Sequence, residues 1–232
     1  WNPTSTSSTS PNFEHQPGTL PSSADSPLKD DKQTTLRAVM DEPMQRLRES
    51  LAKAPIIWKG DYPYFIHPIT DGVPRMSPDI LQAITDLSRE RIDWSNVDLL
   101  LGIEAMGLPL TAPLSMSTGI PLVIARKRTY GLEGEVKIDQ STGYSKGAMF
   151  LNDIKKGERI AIIDDVLSTG GTLEAVIEGV LRAGAKVTHI VAVVEKGDGL
   201  NRLRGLYPDI SIQSLVRLRM DGETIVLLDE EV

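Results

Sequence analysis

The sequence predicts an α/β domain with a central, mostly parallel sheet flanked by helices. Strand-like apolar runs alternate with helical stretches through most of the chain, which is the order that strand–helix–strand units produce. Several of these runs, such as VDLLLGI at 97–103 and PLVIA at 121–125, are almost entirely apolar, as expected for strands that are buried on both faces. Sheets of this kind bind ligands at the carboxyl ends of their strands, so we expect the functional site there.

Composition and charge narrow the class of protein. The chain has 232 residues, of which 40% are hydrophobic and 25% charged, and this is enough to form the core of one ordinary domain. A formal net charge of -7 disfavours binding to nucleic acid phosphates. Without cysteine there is no thiolate or disulfide chemistry, and no apolar run approaches the ~18 residues of a membrane span. We therefore expect a cytoplasmic protein with neither a nucleic-acid nor a membrane partner.

The first part of the chain is predicted to lie outside the folded domain. Residues 1–35 are rich in Ser, Thr and Pro and show no apolar period, so they cannot bury enough surface to offset the entropy of ordering. We expect a disordered tail there and one domain over 36–232. Apolar residues then recur at helical spacing and predict a helix over 35–53, followed by an aromatic, turn-rich stretch of short strands and loops.

The remaining elements follow in chain order. Ser77 and Pro78 have the N-cap and first-turn positions of a helix that extends to about Arg91. Strands are predicted at 97–103, 121–125, 159–164 and 186–195, and near 210–218 and 224–228. Further helices are predicted at about 108–117 and 173–183. The polar, glycine-bearing stretch 126–150 is too long for an ordinary connection and is predicted to be a functional or mobile loop.

One stretch, IIDDVLSTGGT at 162–172, carries the main functional signal. Asp164 and Asp165 end a buried strand, and the segment from Ser168 to Thr172 leads straight into a helix. Glycines and a helix N-terminus bind anions such as phosphate, whereas the carboxylates accept hydrogen bonds from hydroxyl groups. A ligand with a phosphate near a vicinal diol, such as a ribose 5-phosphate, suits both halves. The simpler alternative is an Asp helix cap followed by a glycine turn.

Two other nucleotide-binding motifs are not found. The chain has no GxxxxGK[ST] sequence. Gly197-Asp198-Gly199 is followed by Leu-Asn-Arg, which does not continue as GxGxxG, and we interpret it as a plain turn after its strand.

Five motifs in order resemble one enzyme family. They are YFIHPITDGVP, IEAMGLPL, RKRTYGLEGEV, QSTGYSKG and IDDVLSTGGT. Together they resemble type I phosphoribosyltransferases, and in particular the archaeal hypoxanthine/guanine phosphoribosyltransferases, over about residues 50–228. The resemblance implies the type I fold, with a small hood over the base site. It also implies a homodimer that transfers the 5-phosphoribosyl group from Mg²⁺-bound phosphoribosyl pyrophosphate (PRPP) to hypoxanthine or guanine.

Two alternatives remain open at this point. The chain could be an adenine phosphoribosyltransferase, or a non-catalytic regulator that senses PRPP or purines on the same fold.

The resemblance assigns residues to PRPP. Asp164 and Asp165 would hold the ribose hydroxyls, and the 5-phosphate would lie on Ser168, Thr169, Gly170, Gly171 and Thr172. Backbone N–H groups of Ala105, Met106 and Gly107 would face the pyrophosphate. Arg126, Lys127 and Arg128 would neutralise it as it leaves, with Lys127 the strongest candidate. Magnesium would arrive with PRPP, so no metal ligands are assigned to the protein.

The resemblance also implies a mobile loop and a hood. The stretch from Tyr130 to Lys146 would close over the site and exclude water; the loop residues singled out are Tyr130, Gly131, Gly134, Thr142, Gly143 and Tyr144. In the hood, Tyr64 or Phe65 would stack on the purine, although either could equally be a core residue. Lys196 would donate to a 6-oxo group or be a surface lysine, and His67 is expected to be structural.

The proton acceptor is not settled by the resemblance. Human-type hypoxanthine/guanine enzymes carry a third Asp where this chain has Ser168. Glu104, in the turn after the first central strand, is the alternative proton relay. The predicted catalytic set is therefore Glu104, Lys127 and Asp165.

Overall fold

The computed structural model describes residues 42–142 and 145–229. The predicted tail, residues 1–35, lies outside the described residues. Helices are α1 (42–52), α2 (Pro68–Asp71), α3 (Pro78–Arg91), α4 (Gly107–Thr118), α5 (Gly171–Arg182) and α6 (Gly199–Leu206). Strands are β1 (Ile56–Lys59), β2 (Tyr62–Phe65), β3 (Leu99–Ile103), β4 (Leu122–Ala125), β5 (Val136–Thr142), β6 (Ser145–Leu151), β7 (Arg159–Leu167), β8 (Lys186–Glu195), β9 (Ser211–Asp221) and β10 (Thr224–Leu228).

A six-stranded sheet forms the centre of the fold, in the order β10-β9-β8-β7-β3-β4. Strands β9, β8, β7, β3 and β4 are parallel to their neighbours, and β10 adds to β9 in the antiparallel direction. The predicted mostly parallel α/β sheet is therefore confirmed. None of the helices that the structure describes has the length and apolar character needed to cross a membrane.

The two faces of the sheet hold separate hydrophobic clusters, as the apolar strands predicted. In β7, Ile160 and Ile162 pack into one cluster, on the side of α5 and α6. Ala161 and Ile163 point to the other cluster, on the side of α1, α3 and α4. All four residues have 0% exposure. This burial fixes the register of β7, because a one-residue slip would exchange its two faces.

Two helix ends show why the local sequence folds as predicted. Ser77 Oγ accepts a hydrogen bond from the N–H of Asp79, at 3.3 Å, and Pro78 is the first residue of α3. Helix α4 ends at Gly119, whose φ of 73° lies in the left-handed region that favours glycine.

The stretch 126–150 differs from the expected irregular loop, because most of it forms an antiparallel β5–β6 hairpin. Ile138 and Met149 are each 1% exposed and belong to the core cluster beside α5. The hairpin approaches α5 closely at Gly179, where an added Cβ would lie 2.6 Å from Ile138 Cδ1. Its apolar residues alternate with polar ones, which is a strand period that the polar composition obscured. Gly143 and Tyr144 lie outside the described residues, so closure of the tip stays a prediction.

A second difference follows the Gly197-Asp198-Gly199 sequence. The interpretation as a plain turn was incomplete, because Gly199 begins helix α6. Leu200 and Leu203 anchor this helix in the core with 3% and 0% exposure. Eight residues with two buried leucines are a weak helical signal in a sequence. Most of the stability of such a short helix comes from its tertiary packing.

The β1–β2 hairpin is a separate two-stranded sheet, and with α2 it packs on the second core cluster through Phe65 and Ile69. Phe65 pairs with Ile56 in the antiparallel register, and the N–H of Ile66 donates to Pro55 O. His67 caps α2. We call the segment from Ile56 to Asp71 the hood, following the predicted role.

Candidate functional site

Asp164 and Asp165 lie within the last four residues of β7, which continues beyond the predicted end to Leu167. Burial and the charge of Asp165 raise the pKa of Asp164, which is 6% exposed. Burial also raises the pKa of Asp165, and the negative charge of Asp71 adds to this shift. The pair therefore holds charge in an unfavourable environment, which hydroxyl donors or a cation would relieve.

The two carboxylates have different electrostatic neighbours. Lys127 lowers the pKa of Asp164, against the effect of burial. The charge of Asp165 instead contributes to the raised pKa of Tyr64, in the hood. The charge of Lys127, in the cationic run after β4, thus acts on Asp164, and the charge of Asp165 acts on the hood.

The loop after β7 leads directly into helix α5. Ser168 and Thr169 are exposed, and Gly170 has a φ of 79° that turns the chain into α5. Helix α5 begins at Gly171 and carries Thr172 in its first turn. The N-terminus of α5 thus opens beside the acid pair.

The turn from Glu104 to Gly107 packs directly beside β7. An added Cβ on Gly107 would lie 3.0 Å from the carbonyl oxygen of Ile163, the residue before Asp164. Ala105 is exposed, and the Met106 side chain approaches Gly72 at the end of the hood. The predicted pyrophosphate turn therefore adjoins both the acid pair and the hood.

Glu104 joins this turn to the cationic run. Its Oε2 accepts a hydrogen bond from the backbone N–H of Lys127 at 2.9 Å. Arg126 Nε lies 3.0 Å from the same oxygen, as an ion pair that lacks hydrogen-bond geometry. Arg128 lies over the ring of Tyr130, with 4.9 Å between the guanidinium carbon and the ring centroid. These contacts position the run at the end of β4, which is separated from β7 by β3.

Lys196, which follows β8, is half-buried against the hood. Its Nζ donates to the hydroxyl of Tyr62 and lies 4.6 Å from that ring's centroid. It also lies 5.7 Å from the ring centroid of Phe65. Phe65 is 5% exposed and belongs to the core cluster. Of its two predicted roles, it therefore has the core role in the ligand-free chain.

Tyr64 is held by two charged neighbours. Its hydroxyl donates to Asp71 at 2.8 Å, and Lys59 Nζ lies 3.6 Å from its ring centroid. Burial first, and then the hydrogen bond to Asp71, raise the pKa of Tyr64 to about 12. Asp71 also accepts from Thr70 Oγ1 at 2.6 Å, which fixes its carboxylate near Asp165.

His67 is structural, as expected. Its Nδ1 accepts from the N–H of Ile69 at 3.2 Å, so the proton is on Nε2, which lies 2.9 Å from Ser50 Oγ. Burial lowers the pKa of His67 to about 4. In the described ranges, no group of three or more His, Asp or Glu side chains could hold a metal ion.

Three functional neighbours were missed in the sequence. Tyr62 and Asp71 lie within the hood motif but had no individual role, and Arg202 lies in the unexpected helix α6. Tyr62 contacts Lys196 across 134 positions of sequence. No local spacing in the sequence signals such a contact. The carboxylate of Asp71, in the Thr-Asp-Gly turn of the hood motif, is the one feature that could have indicated a functional residue there.

The fold and this edge of the sheet define a phosphoribosyl-handling α/β protein. A model of the phosphoribosyl transferase domain matches residues 76–229, which is more than half of the chain. The chain therefore belongs to the phosphoribosyltransferase family.

Several archaeal proteins that are similar to this chain are named hypoxanthine/guanine phosphoribosyltransferase. It is 48% identical over 183 residues to a hypoxanthine/guanine phosphoribosyltransferase of Methanococcus voltae, covering 79% of this chain and 97% of the relative. It is 50% identical over 171 residues to the protein of that name from Methanosarcina mazei, covering 73% and 90%. The adenine phosphoribosyltransferase structure from Thermoanaerobacter pseudethanolicus superposes with a TM-score of 0.63 at 22% identity, covering 75% and 99%. That last likeness shows the fold alone.

Proposed function

We propose that this protein transfers the 5-phosphoribosyl group from Mg²⁺-bound PRPP to hypoxanthine or guanine, forming IMP or GMP and pyrophosphate in purine salvage. One observation carries the proposal. In the central sheet, the acid pair and anion loop of β7 lie between the end of β4, which carries the cationic run, and the end of β8, after which Lys196 contacts the hood. A pyrophosphate, a ribose 5-phosphate and a purine would need these three environments in that order.

PRPP binding follows from the chemistry of each part. Asp164 and Asp165 accept hydrogen bonds from the ribose hydroxyls, which compensates for the burial that raises the pKa values of both carboxyls. The loop from Ser168 to Thr172 presents N–H and hydroxyl groups to the 5-phosphate. The Ala105–Gly107 turn and the run from Arg126 to Arg128 surround the pyrophosphate.

The reaction breaks the bond between ribose C1 and the pyrophosphate oxygen and forms one between C1 and a purine nitrogen. The electron pair of the broken bond leaves with pyrophosphate, and Lys127 with its neighbouring arginines stabilises this charge. Positive charge develops on the sugar beside the Asp164–Asp165 pair. Binding in one geometry brings the two substrates together without a covalent enzyme intermediate.

Magnesium fits this site as a companion of the substrate. It would neutralise charge on the pyrophosphate. The carboxylates of Asp164 and Asp165 are the oxygen ligands that the acid pair could offer it.

The purine nitrogen must lose its proton, and the sequence predicts Glu104 for this role, with Asp165 also in the catalytic set. Glu104 Oε2 already accepts from Lys127 N–H and pairs with Arg126, which supports a positioning role. Burial raises the pKa of Asp165, whose charge acts on Tyr64 in the hood, and a raised pKa favours proton uptake. We therefore favour Asp165 over Glu104 as proton acceptor. The comparison of Glu104→Gln with Asp165→Asn tests this: the pH dependence of kcat should persist only in Glu104→Gln.

Lys196 supports a preference for 6-oxopurines. An ammonium group donates hydrogen bonds to a 6-oxo group, whereas adenine has an amino donor at that position. The names of the archaeal relatives agree with this preference.

The test is pyrophosphate release from Mg²⁺-PRPP with hypoxanthine, guanine, xanthine and adenine offered separately. Turnover with hypoxanthine and guanine is the expected result. Turnover with adenine alone would replace the proposal by the adenine enzyme. No pyrophosphate release with any of the four bases, together with measurable PRPP binding, would favour a regulator.

Assembly and location complete the proposal. A homodimer in the cytoplasm is what the family resemblance implies. Light scattering after size-exclusion chromatography tests the first, and cell fractionation tests the second.

A further inference from the structure

The anion loop is held from behind by the segment from Lys196 to Arg202, which we call the loop support. The N–H of Lys196 donates to Leu167 O at 2.9 Å, and the N–H of Gly199 donates to Ser168 O at 2.9 Å. Arg202 Nε donates to Thr169 O at 3.1 Å. Three successive carbonyl groups of the loop are thus bonded to one short segment.

These bonds set the direction of the loop's N–H groups. In a trans peptide the C=O and the following N–H point in opposite directions, and the cis peptides in the described residues lie elsewhere, at Val73–Pro74 and Glu104–Ala105. Because the carbonyls of 167–169 face the loop support, the N–H groups of Ser168, Thr169 and Gly170 point away from it. Fixed N–H dipoles of this kind bind a phosphate without reorganisation.

Packing makes the support rigid. An added Cβ on Gly199 would lie 2.2 Å from Ser168 O, and one on Gly170 would lie 3.0 Å from Leu203 Cδ1. Leu203 itself is fully buried, with 0% exposure. The loop therefore has backbone on one side and a core leucine beneath it.

Arg202 adds a second connection. Its Nη2 donates to Glu174 Oε2 at 2.6 Å, in the first turn of α5. One guanidinium therefore links the last of the three bonded carbonyls to the helix whose N-terminus opens on the site.

We infer that Arg202 is a positioning residue for phosphate binding: it orients the anion loop without touching the ligand. This inference rests on the proposed function, because it assumes that the loop binds the 5-phosphate. It predicts that loss of Arg202 weakens phosphate-bearing ligands selectively.

The experiment compares IMP with inosine, which lacks the phosphate, by calorimetry on the full chain. The wild type should bind IMP more tightly than inosine. Arg202→Met should weaken IMP binding by about tenfold, because the released loop must then be ordered when the phosphate binds, and should leave inosine binding unchanged. Arg202→Lys, which retains the charge and a donor, should recover part of the IMP affinity. Arg204→Met is the matched control, because Arg204 Nε also donates to a carbonyl, that of Ile212 at 2.9 Å, outside the loop.

The outcomes separate the two hypotheses. Equal weakening of IMP and inosine in Arg202→Met, or no change in either, would overturn the positioning role. A wild type that binds IMP no better than inosine would overturn the proposed phosphate site, and this inference with it. If Arg202→Met does not fold, Glu174→Gln decides the matter. It keeps the Thr169 bond and should give a smaller selective loss of IMP affinity, and unchanged affinity would count against the inference.

Discussion

Replacing Gly199 by alanine should displace the anion loop. The added Cβ would lie 2.2 Å from Ser168 O, 2.7 Å from the Thr169 carbonyl carbon and 2.8 Å from Gly170 N. All three atoms are backbone, so no side chain can rotate away. Ser168 O would have to move by about 1 Å to reach ordinary contact, and a misplacement of that size costs about 10²-fold in rate.

Stability should fall as well. Overpacking of a tight contact costs about 1–3 kcal/mol of unfolding free energy. Gly205→Ala is the matched control in the same helix, since an added Cβ there has no atom within 4 Å. That control should keep full activity and gain about 0.5–1 kcal/mol from helix propensity.

The assay is steady-state kinetics with PRPP varied at saturating hypoxanthine, together with urea unfolding of both variants. Gly199→Ala should raise the KM for PRPP and lower kcat, while Gly205→Ala changes neither. Unaltered PRPP kinetics in a folded Gly199→Ala protein would refute the claim that this close contact positions the loop.

Four further changes test other parts of the account. Asp164→Asn should raise the melting temperature of the free protein, because burial and Asp165 raise the pKa of this carboxyl, yet lower PRPP affinity about tenfold or more; a variant that is both less stable and fully active would contradict this. Lys196→Met should raise the KM for hypoxanthine and leave that for PRPP unchanged; equal changes in both would count against a base-side role. Since burial lowers the pKa of His67 to about 4, the neutral form is favoured in the fold. The contribution of neutral His67 to the free energy of unfolding is therefore complete above pH 6.5. It is lost as the pH falls towards 4, by about 2 kcal/mol at pH 5. Urea unfolding at pH 7 and 5 isolates this contribution: the change in stability on acidification should be less favourable in the wild type than in His67→Gln. Deleting residues 1–34 should leave turnover intact, and a large loss would show that the tail is functional.

The strands of the central sheet were predictable because strands buried on both faces appear in the sequence as continuous apolar runs. The predicted strand 186–195 is Lys186–Glu195 in the structure. The acid pair and the loop from Ser168 were predictable for a related reason. Their chemistry is contiguous in the chain, so strand, acids, glycines and helix start appear in one stretch.

The parts that were missed depend on long-range contacts. The β5–β6 hairpin is stabilised by packing against Gly179, and helix α6 by two buried leucines. Neither partner is visible in the local pattern. The contact between Tyr62 and Lys196 likewise arises only when the hood folds over the sheet.

The central claim is that the chain joins a phosphoribosyl group to a 6-oxopurine. The most direct measurement is mass spectrometry of the products formed from hypoxanthine and Mg²⁺-PRPP carrying ¹³C in the ribose. The account predicts ¹³C-labelled IMP and pyrophosphate in equal amounts. Labelled ribose 5-phosphate without IMP, or unreacted PRPP, would contradict it.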